Sequence, residues 1–160
     1  MARLSSLLFC LFFAPPNASA KEASEKAFIG GTFGADFMLK NFEVSKIKTK
    51  NGSGDRLTLS MSDIQGRKLK GPPTYFHVQV QNDSKRLIVD LSSTPRSALT
   101  EEAMISELKK TKFIRGGRML LDPLDNTMTL IFDLKSSVRV KTWQVAGNKD
   151  NSKIVVDIWK

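Results

Sequence analysis

Few residues of this chain could carry out acid–base or metal chemistry. His77 is the only histidine and Cys10 the only cysteine. A hydrolytic zinc site needs about three protein ligands, several of them usually histidines, and no G-x-S-x-G motif supplies a serine nucleophile. In the alternating segment 75–81, His77 falls on the face opposite to Phe76 and Val78, so it is predicted to face solvent. We therefore expect no catalytic centre, no metal and no other cofactor.

Three aspartates, Asp90, Asp133 and Asp157, could in principle supply a carboxylate pair of the kind that cleaves glycosidic bonds. Each of them, however, lies beside large aliphatic residues in an alternating segment. Solvent-facing strand residues that pair with a cation across the strand, such as Arg86 or Lys153, explain this pattern without a cleft. The sequence thus favours a protein that is not an enzyme.

Basic and aromatic residues are better candidates for a binding site. Guanidinium groups bind carboxylates in bidentate fashion, and the indole of Trp159 could stack on a sugar ring. One basic group lies in a loop between Gly66 and Gly71, and a second flanks Gly116-Gly117, where a ligand could approach the backbone closely. The candidate ligand-binding residues are Arg67, Lys68, Lys70, Arg115, Arg118 and Trp159.

The first twenty residues have the features of a secretory signal peptide. Arg3 precedes an apolar run over 4–14, and Ala18-Ser19-Ala20 matches an A-x-A cleavage site. The run is too short to span a bilayer, which takes roughly twenty residues, although a buried N-terminal helix is an alternative interpretation. Phe9 rather than a small residue precedes Cys10, which disfavours lipidation. We expect an exported, periplasmic protein that begins at Lys21 and has no membrane span.

Export leaves a basic chain without cysteine. The full sequence has 25 Lys and Arg against 16 Asp and Glu, a net charge of +9, and removal of Arg3 with the signal peptide lowers this to +8. Such a charge attracts polyanions, and outside the cytoplasm these are cell-wall polymers and acidic head groups rather than nucleic acid. Without disulfides, an apolar core must hold the fold together.

Residues 42–160 read as one mostly β domain, after a polar and glycine-rich segment over 21–41 that is predicted to be a flexible linker. Strand-like alternation covers most of the domain. The helix is predicted over 100–110, where Thr100 can cap the first turn and Lys109 and Lys110 suit the last. The predicted strands are 42–47, 56–62, 75–81, 86–91, 113–122, 127–134, 138–145 and 153–159.

The second half of the domain repeats the first. Segment 57–61 aligns with 128–132 at an offset of 71, which also places Phe42 on Phe113. Segments 76–78 and 86–91 align with 143–145 and 153–158 at an offset of 67, with the change of register assigned to the basic loop at 65–73. The second alignment matches Trp143 with Phe76, which predicts a core position for Trp143. Two such units, each too small to bury its apolar face alone, predict a pseudo-symmetric sandwich of two small antiparallel sheets with one short helix.

The segments RLIVDL at 86–91, FIRGG at 113–117, TLIFDL at 129–134 and IVVDI at 154–158 resemble the AMIN domain. This domain precedes the catalytic part of periplasmic N-acetylmuramoyl-L-alanine amidases and occurs in type IV pilus secretins. The resemblance covers residues 42–160 and implies a β-sandwich that binds peptidoglycan or positions a partner at the cell envelope. Unlike in those proteins, the domain is expected here without an amidase or secretin part, so that its partner would be a separate chain.

Two functions therefore remain open. The first is a non-catalytic envelope module that binds peptidoglycan through a basic, partly aromatic surface. The second is an assembly factor for a pilus or secretion apparatus, whose exposed strand edges would accept a strand of an envelope protein complex. The sequence leaves the oligomeric state undetermined.

Overall fold

The computed structural model of the chain describes residues 25–49 and 52–160, so the predicted signal peptide and the start of the predicted linker lie outside the described residues. The described segments form ten strands and one helix. These are β1 (Glu25–Gly30), β2 (Phe37–Thr49), β3 (Gly52–Asp63), β4 (Phe76–Gln81), β5 (Arg86–Leu91), β6 (Arg96–Ser97), α1 (Glu101–Leu108), β7 (Ile114–Asp122), β8 (Thr127–Leu134), β9 (Arg139–Val145) and β10 (Ser152–Trp159).

The strands make two five-stranded sheets, which confirms the predicted sandwich. Sheet I has the order β1-β4-β5-β8-β7, and sheet II has the order β6-β2-β3-β10-β9. Neighbouring strands are antiparallel, except that the two-residue β6 runs parallel to β2. Both sheets place their alternate apolar residues inward, as strict alternation requires.

The core lies between the sheets. In β8 the inward residues Met128, Leu130, Phe132 and Leu134 are buried, and they alternate with half-exposed outward residues. Across the core, the rings of Phe42 and Phe132 stack with their centroids 5.7 Å apart and join sheet II to sheet I. Burying one such side chain stabilises the fold by about 1.5–3 kcal/mol.

The two halves of the domain exchange hairpins. The β2–β3 hairpin of the first half pairs with β10 of the second, while the β7–β8 hairpin of the second half pairs with β5 of the first. The order β4-β5-β8-β7 in sheet I therefore corresponds to β9-β10-β3-β2 in sheet II. The first strand of each hairpin carries a β-bulge, at Lys40 in β2 and at Arg115 in β7. The predicted internal symmetry is present in these four strands of each sheet, whereas β1 and β6 have no counterpart.

Strand pairing corrects one register of the predicted repeat. Leu59 lies opposite Ile154 in sheet II, and Phe132 lies opposite Leu87 in sheet I. Because Leu87 and Ile154 are equivalent, Leu59 corresponds to Phe132 and not to Leu130. The difference is an even number of residues, so Leu59 and Leu130 both still face the core. The proposed match of Phe42 with Phe113 is wrong, because Phe42 lies inside β2 whereas Phe113 precedes β7.

A second register error in the predicted repeat assigned a side chain to the wrong face of its sheet. Phe76 lies opposite Leu91, and Val140 lies opposite Ile158, the counterpart of Leu91. Phe76 therefore corresponds to Val140, and the match with Trp143 is wrong. The cause is the connection between the two strands, which has seven residues between the last cross-strand pair (146–152) in the second half but only four (82–85) in the first. Since the error is an odd number of residues, it turns Trp143 from the core to the outer face.

The described part of the predicted linker is structured instead of flexible. β1 pairs with β4 along its whole length, and β2 begins at Phe37, which is buried together with Leu39. In the segment between β1 and β2, the ring of Phe33 stacks on the ring of Tyr75, with the two centroids 4.1 Å apart. The glycine-rich composition hid these strands, because each is stabilised by pairing with distant segments and not by local propensity.

Helix α1 closes the sandwich between β2 and β7. The Thr100 hydroxyl accepts a hydrogen bond from the Ala103 N–H at 3.2 Å, as predicted for the cap, and Met104 and Leu108 are buried. A Cβ atom on Gly117 would lie 2.9 Å from the Leu108 side chain, so this glycine allows close helix packing, not the approach of a ligand. No helix in the described part of the chain is long and apolar enough to cross a membrane.

A buried carboxylate ties the segment after α1 to sheet II. Asp55 accepts hydrogen bonds from the Lys46 ammonium at 2.8 Å, the Thr111 hydroxyl at 2.5 Å and the Lys112 N–H at 2.9 Å. Its side chain is fully buried, whereas that of Lys46 is 60% exposed. Burial by itself would raise the pKa of Asp55, but these hydrogen bonds and the Lys46 charge outweigh it and hold the pKa below its ordinary value.

Candidate functional site

The outer face of sheet II carries aromatic and basic side chains side by side. Its central residue is Trp143 on β9, which lies directly opposite Val155 on β10. Val155 points outward but is only 5% exposed, which we attribute to the indole of its cross-strand neighbour. We call this surface the Trp143 face; it comprises Arg56, Arg139, Lys141, Trp143, Lys153, Val155, Asp157 and Trp159.

Two cations flank the indole of Trp143. The Arg56 guanidinium carbon lies 4.8 Å from the ring centroid and the Lys141 ammonium 5.7 Å from it. Arg56 is oriented by Asp157, which accepts hydrogen bonds from Nε at 2.7 Å and from Nη2 at 3.0 Å. The hydrogen bond to Asp157 also raises the pKa of Arg56, despite partial burial. Arg56 and Trp143 both lie on regular strands, so the indole ring has a defined position relative to the guanidinium group.

The charge of the Trp143 face is positive. Asp157 is committed to Arg56, whereas Arg139, Lys141 and Lys153 form no ion pair within the described segments. The outer face of sheet I differs, since Arg86 lies 4.0 Å from Asp133 and no Phe, Tyr or Trp side chain points outward from its described strands. A flat aromatic ring among cations suits a ligand that combines sugar-like rings with negative charge.

The predicted basic loop lies at one end of the sandwich, where most of its charge is engaged. The Arg67 guanidinium pairs with Asp63 at 2.6 Å, and the Lys68 ammonium donates to the Lys149 carbonyl at 2.8 Å. Lys70 is exposed, and Gly71 next to it pairs with Gly147. The loop is thus anchored on the 146–151 turn, away from Trp143.

The other predicted residues lie on different surfaces. Arg115 is the bulged residue of β7, and Arg118 lies opposite Ile131 on the outer face of sheet I. Trp159, in contrast, belongs to the Trp143 face, where it lies opposite Arg139. The structure does not bring the six predicted residues together into one site.

Alternation within β9 alone would have revealed the Trp143 face. Val140 and Thr142 point inward, which leaves Arg139, Lys141 and Trp143 in a row on the outside. The alignment of the repeat overrode this local pattern. Arg56 could not have been assigned to the site from sequence, since its partner Asp157 is 101 residues away.

His77 faces outward from sheet I, as predicted, but it has an acidic neighbour that the sequence did not reveal. Its Nδ1 lies 3.5 Å from the Asp90 carboxylate, which accepts a hydrogen bond from the Thr129 hydroxyl at 2.7 Å. Among the described residues, no three His, Cys, Asp or Glu side chains are grouped so that they could hold a metal ion.

Replacing His77 by alanine is expected to leave ligand binding unchanged, because His77 and the Trp143 face lie on opposite sides of the sandwich. The binding curve of His77→Ala for isolated cell-wall sacculi should overlay that of the wild type, and its thermal midpoint should fall by a few degrees at most. A loss of binding in a folded variant would place the site on sheet I.

Comparisons with known proteins leave the family open. Neither a scan against models of protein families nor a search of curated protein sequences found a match to this chain.

Proposed function

We propose that this protein is an exported, non-catalytic module of the cell envelope that binds peptidoglycan through the Trp143 face. The observation that carries the proposal is the indole of Trp143 on a basic sheet surface, with the Arg56 guanidinium 4.8 Å and the Lys141 ammonium 5.7 Å from its ring centroid. Peptidoglycan combines sugar rings, which stack on aromatic faces, with stem-peptide carboxylates, which attract Arg and Lys. The signal-peptide pattern and the resemblance to the AMIN domain support the same assignment.

Co-sedimentation with purified sacculi tests this function directly. The mature chain, residues 21–160, should pellet with sacculi in a saturable manner at about 0.1 M salt. At 1 M salt the binding should weaken without vanishing, because the Debye length falls from about 10 Å to roughly 3 Å while stacking and apolar contacts persist. A protein that remains in the supernatant at every salt concentration would contradict the proposal.

The assembly-factor function also has a structural observation in its favour. β6 covers β2 only at Met38 and Leu39, so the edge of β2 beyond them has no strand neighbour among the described segments. A groove of about 670 Å³ lies there between β2 and α1. The Glu107 carboxylate accepts a hydrogen bond from the Val44 N–H at 3.2 Å, in the place of a strand carbonyl. A partner strand added at this edge would bind through hydrogen bonds to the backbone of β2.

The two functions can be separated with one variant on each surface. Lys48 is an exposed residue of this free edge, and Lys48→Pro would hinder strand addition there. Retention by sacculi that survives Lys48→Pro but is lost in Trp143→Ala supports peptidoglycan binding. The assembly-factor function is supported if an envelope protein retains the chain, if this retention is lost in Lys48→Pro but survives Trp143→Ala, and if sacculi do not retain the chain.

A further inference from the structure

Four cations converge at the end of the sandwich where β2 meets β3 and β8 leads into β9. Two adjoining cavities, of about 460 Å³ and 590 Å³, share Ser136 and Lys160 in their walls. Lys112 and Lys135 line the first cavity, and Arg139 lines the second. Among the residues that the structure describes, no acidic side chain lines either cavity.

The side chains of these cations have no ion-pair partner in the described part of the chain. Lys112, Lys135, Arg139 and Lys160 are absent from every ion pair there. The nearest buried carboxylate, Asp55, is already satisfied by Lys46, Thr111 and the backbone of Lys112. Side chains of one sign lining a cavity with low-dielectric walls concentrate the field and attract an ion of the opposite sign.

The walls also offer neutral groups that suit an oxyanion. The Lys112 ammonium donates a hydrogen bond to the Ser53 hydroxyl at 2.6 Å and lies 5.1 Å from the Phe113 ring centroid. Two of its three N–H groups therefore remain for a ligand. Ser136 lines both cavities and can offer a hydroxyl, and Phe113 lines the first, where the organic part of a ligand could pack against it.

We infer that this basic end is a second binding site, which takes the oxyanion group of a larger molecule, either a phosphate ester or a cluster of carboxylates. The inference does not depend on peptidoglycan binding, because its residues are distinct from Trp143 and the indole plays no part in it. Arg139 is the only residue common to the cavities and the Trp143 face, so the two sites adjoin.

Calorimetric titration with two small probes tests the inference. Pyrophosphate and citrate, each at constant ionic strength, should bind the mature chain in a saturable manner. In NMR spectra recorded during the same titrations, the amide resonances of Ser53, Phe113 and Ser136 should shift. The double variant Lys112→Gln/Lys135→Gln should bind at least about tenfold more weakly, because two charges within a few ångströms of the anion are lost. The charge-matched control Lys70→Gln/Lys149→Gln, at the other end of the sandwich, should bind like the wild type.

The source of the oxyanion is distinguished by which probe binds more tightly. Tighter binding of pyrophosphate assigns a phosphate-bearing ligand, and tighter binding of citrate assigns a carboxylated one. Trp143→Ala should leave both titrations unchanged, so failure of this site and failure of peptidoglycan binding are separable. Equal affinity of the Lys112→Gln/Lys135→Gln and control variants, or a response no greater than that to chloride, would overturn the inference.

Discussion

Trp143→Ala in the mature chain is expected to weaken binding to sacculi by about thirtyfold, equivalent to about 2 kcal/mol, the scale of loss seen for central tryptophan anchors at protein interfaces. The indole supplies the stacking surface between Arg56 and Lys141, and alanine removes it without touching the inward residues of β9. Trp143→Phe should retain part of the affinity, because a smaller aromatic face remains.

Co-sedimentation over a range of sacculus concentrations gives the affinities, and thermal unfolding followed by far-ultraviolet circular dichroism checks the fold. Ile88→Ala is the matched control, since Ile88 is an outward residue at the centre of sheet I. Arg115→Glu/Arg118→Glu provides a charge control away from the face. The assignment fails if Trp143→Ala binds like the wild type while either control loses binding.

Asp55→Ala is expected to destabilise the fold strongly, lowering the free energy of unfolding by about 3 kcal/mol. The substitution leaves the Thr111 hydroxyl and the Lys112 N–H without their buried acceptor and removes the ionic partner of Lys46. For a domain of this size, the thermal midpoint should fall by roughly 6–12 °C. Asp83→Asn, at an exposed turn residue, should change it little.

The same carboxylate predicts a pH dependence of known sign. Because the pKa of Asp55 is lower in the folded than in the unfolded chain, its contribution is fully present above the unfolded value, near 3.9, and is lost as the pH falls through the folded value. Urea unfolding between pH 6 and pH 2 should therefore show a decline in wild-type stability that is shallower in Asp55→Asn. Parallel pH profiles for the two proteins would contradict this role.

The strands could be predicted well because alternation depends on local sequence. Leu57, Leu59 and Met61 signal a half-buried strand without knowledge of its partner. β1 and the start of β2 could not be found in this way, since pairing with β4 and β3 stabilises them.

The residues of the Trp143 face that lie outside β9 could be assigned only from the strand order, which the sequence does not contain. Arg56, Trp143 and Asp157 meet only because β3, β10 and β9 are adjacent in sheet II. An alignment of the repeat could in principle have supplied this adjacency, but the longer 146–151 turn shifted the register and moved Trp143 to the wrong face. Arg115 and Arg118 were drawn into the predicted site by Gly116-Gly117, whereas Gly117 is required by the packing of α1.

The exchange of hairpins between the halves bears on how such a chain could have evolved. Each half alone would expose strand edges that the other half now covers, β3 and β5 in the first half and β8 and β10 in the second, and such edges favour pairing with another chain. Two copies of one half-length chain, however, could bury these edges in each other as a symmetric dimer. Joining the copies end to end through the segment of β6 and α1 would then give this topology in a single gene. After fusion the copies were free to diverge, so that one sheet could acquire tryptophans and cations while its counterpart remained nearly neutral.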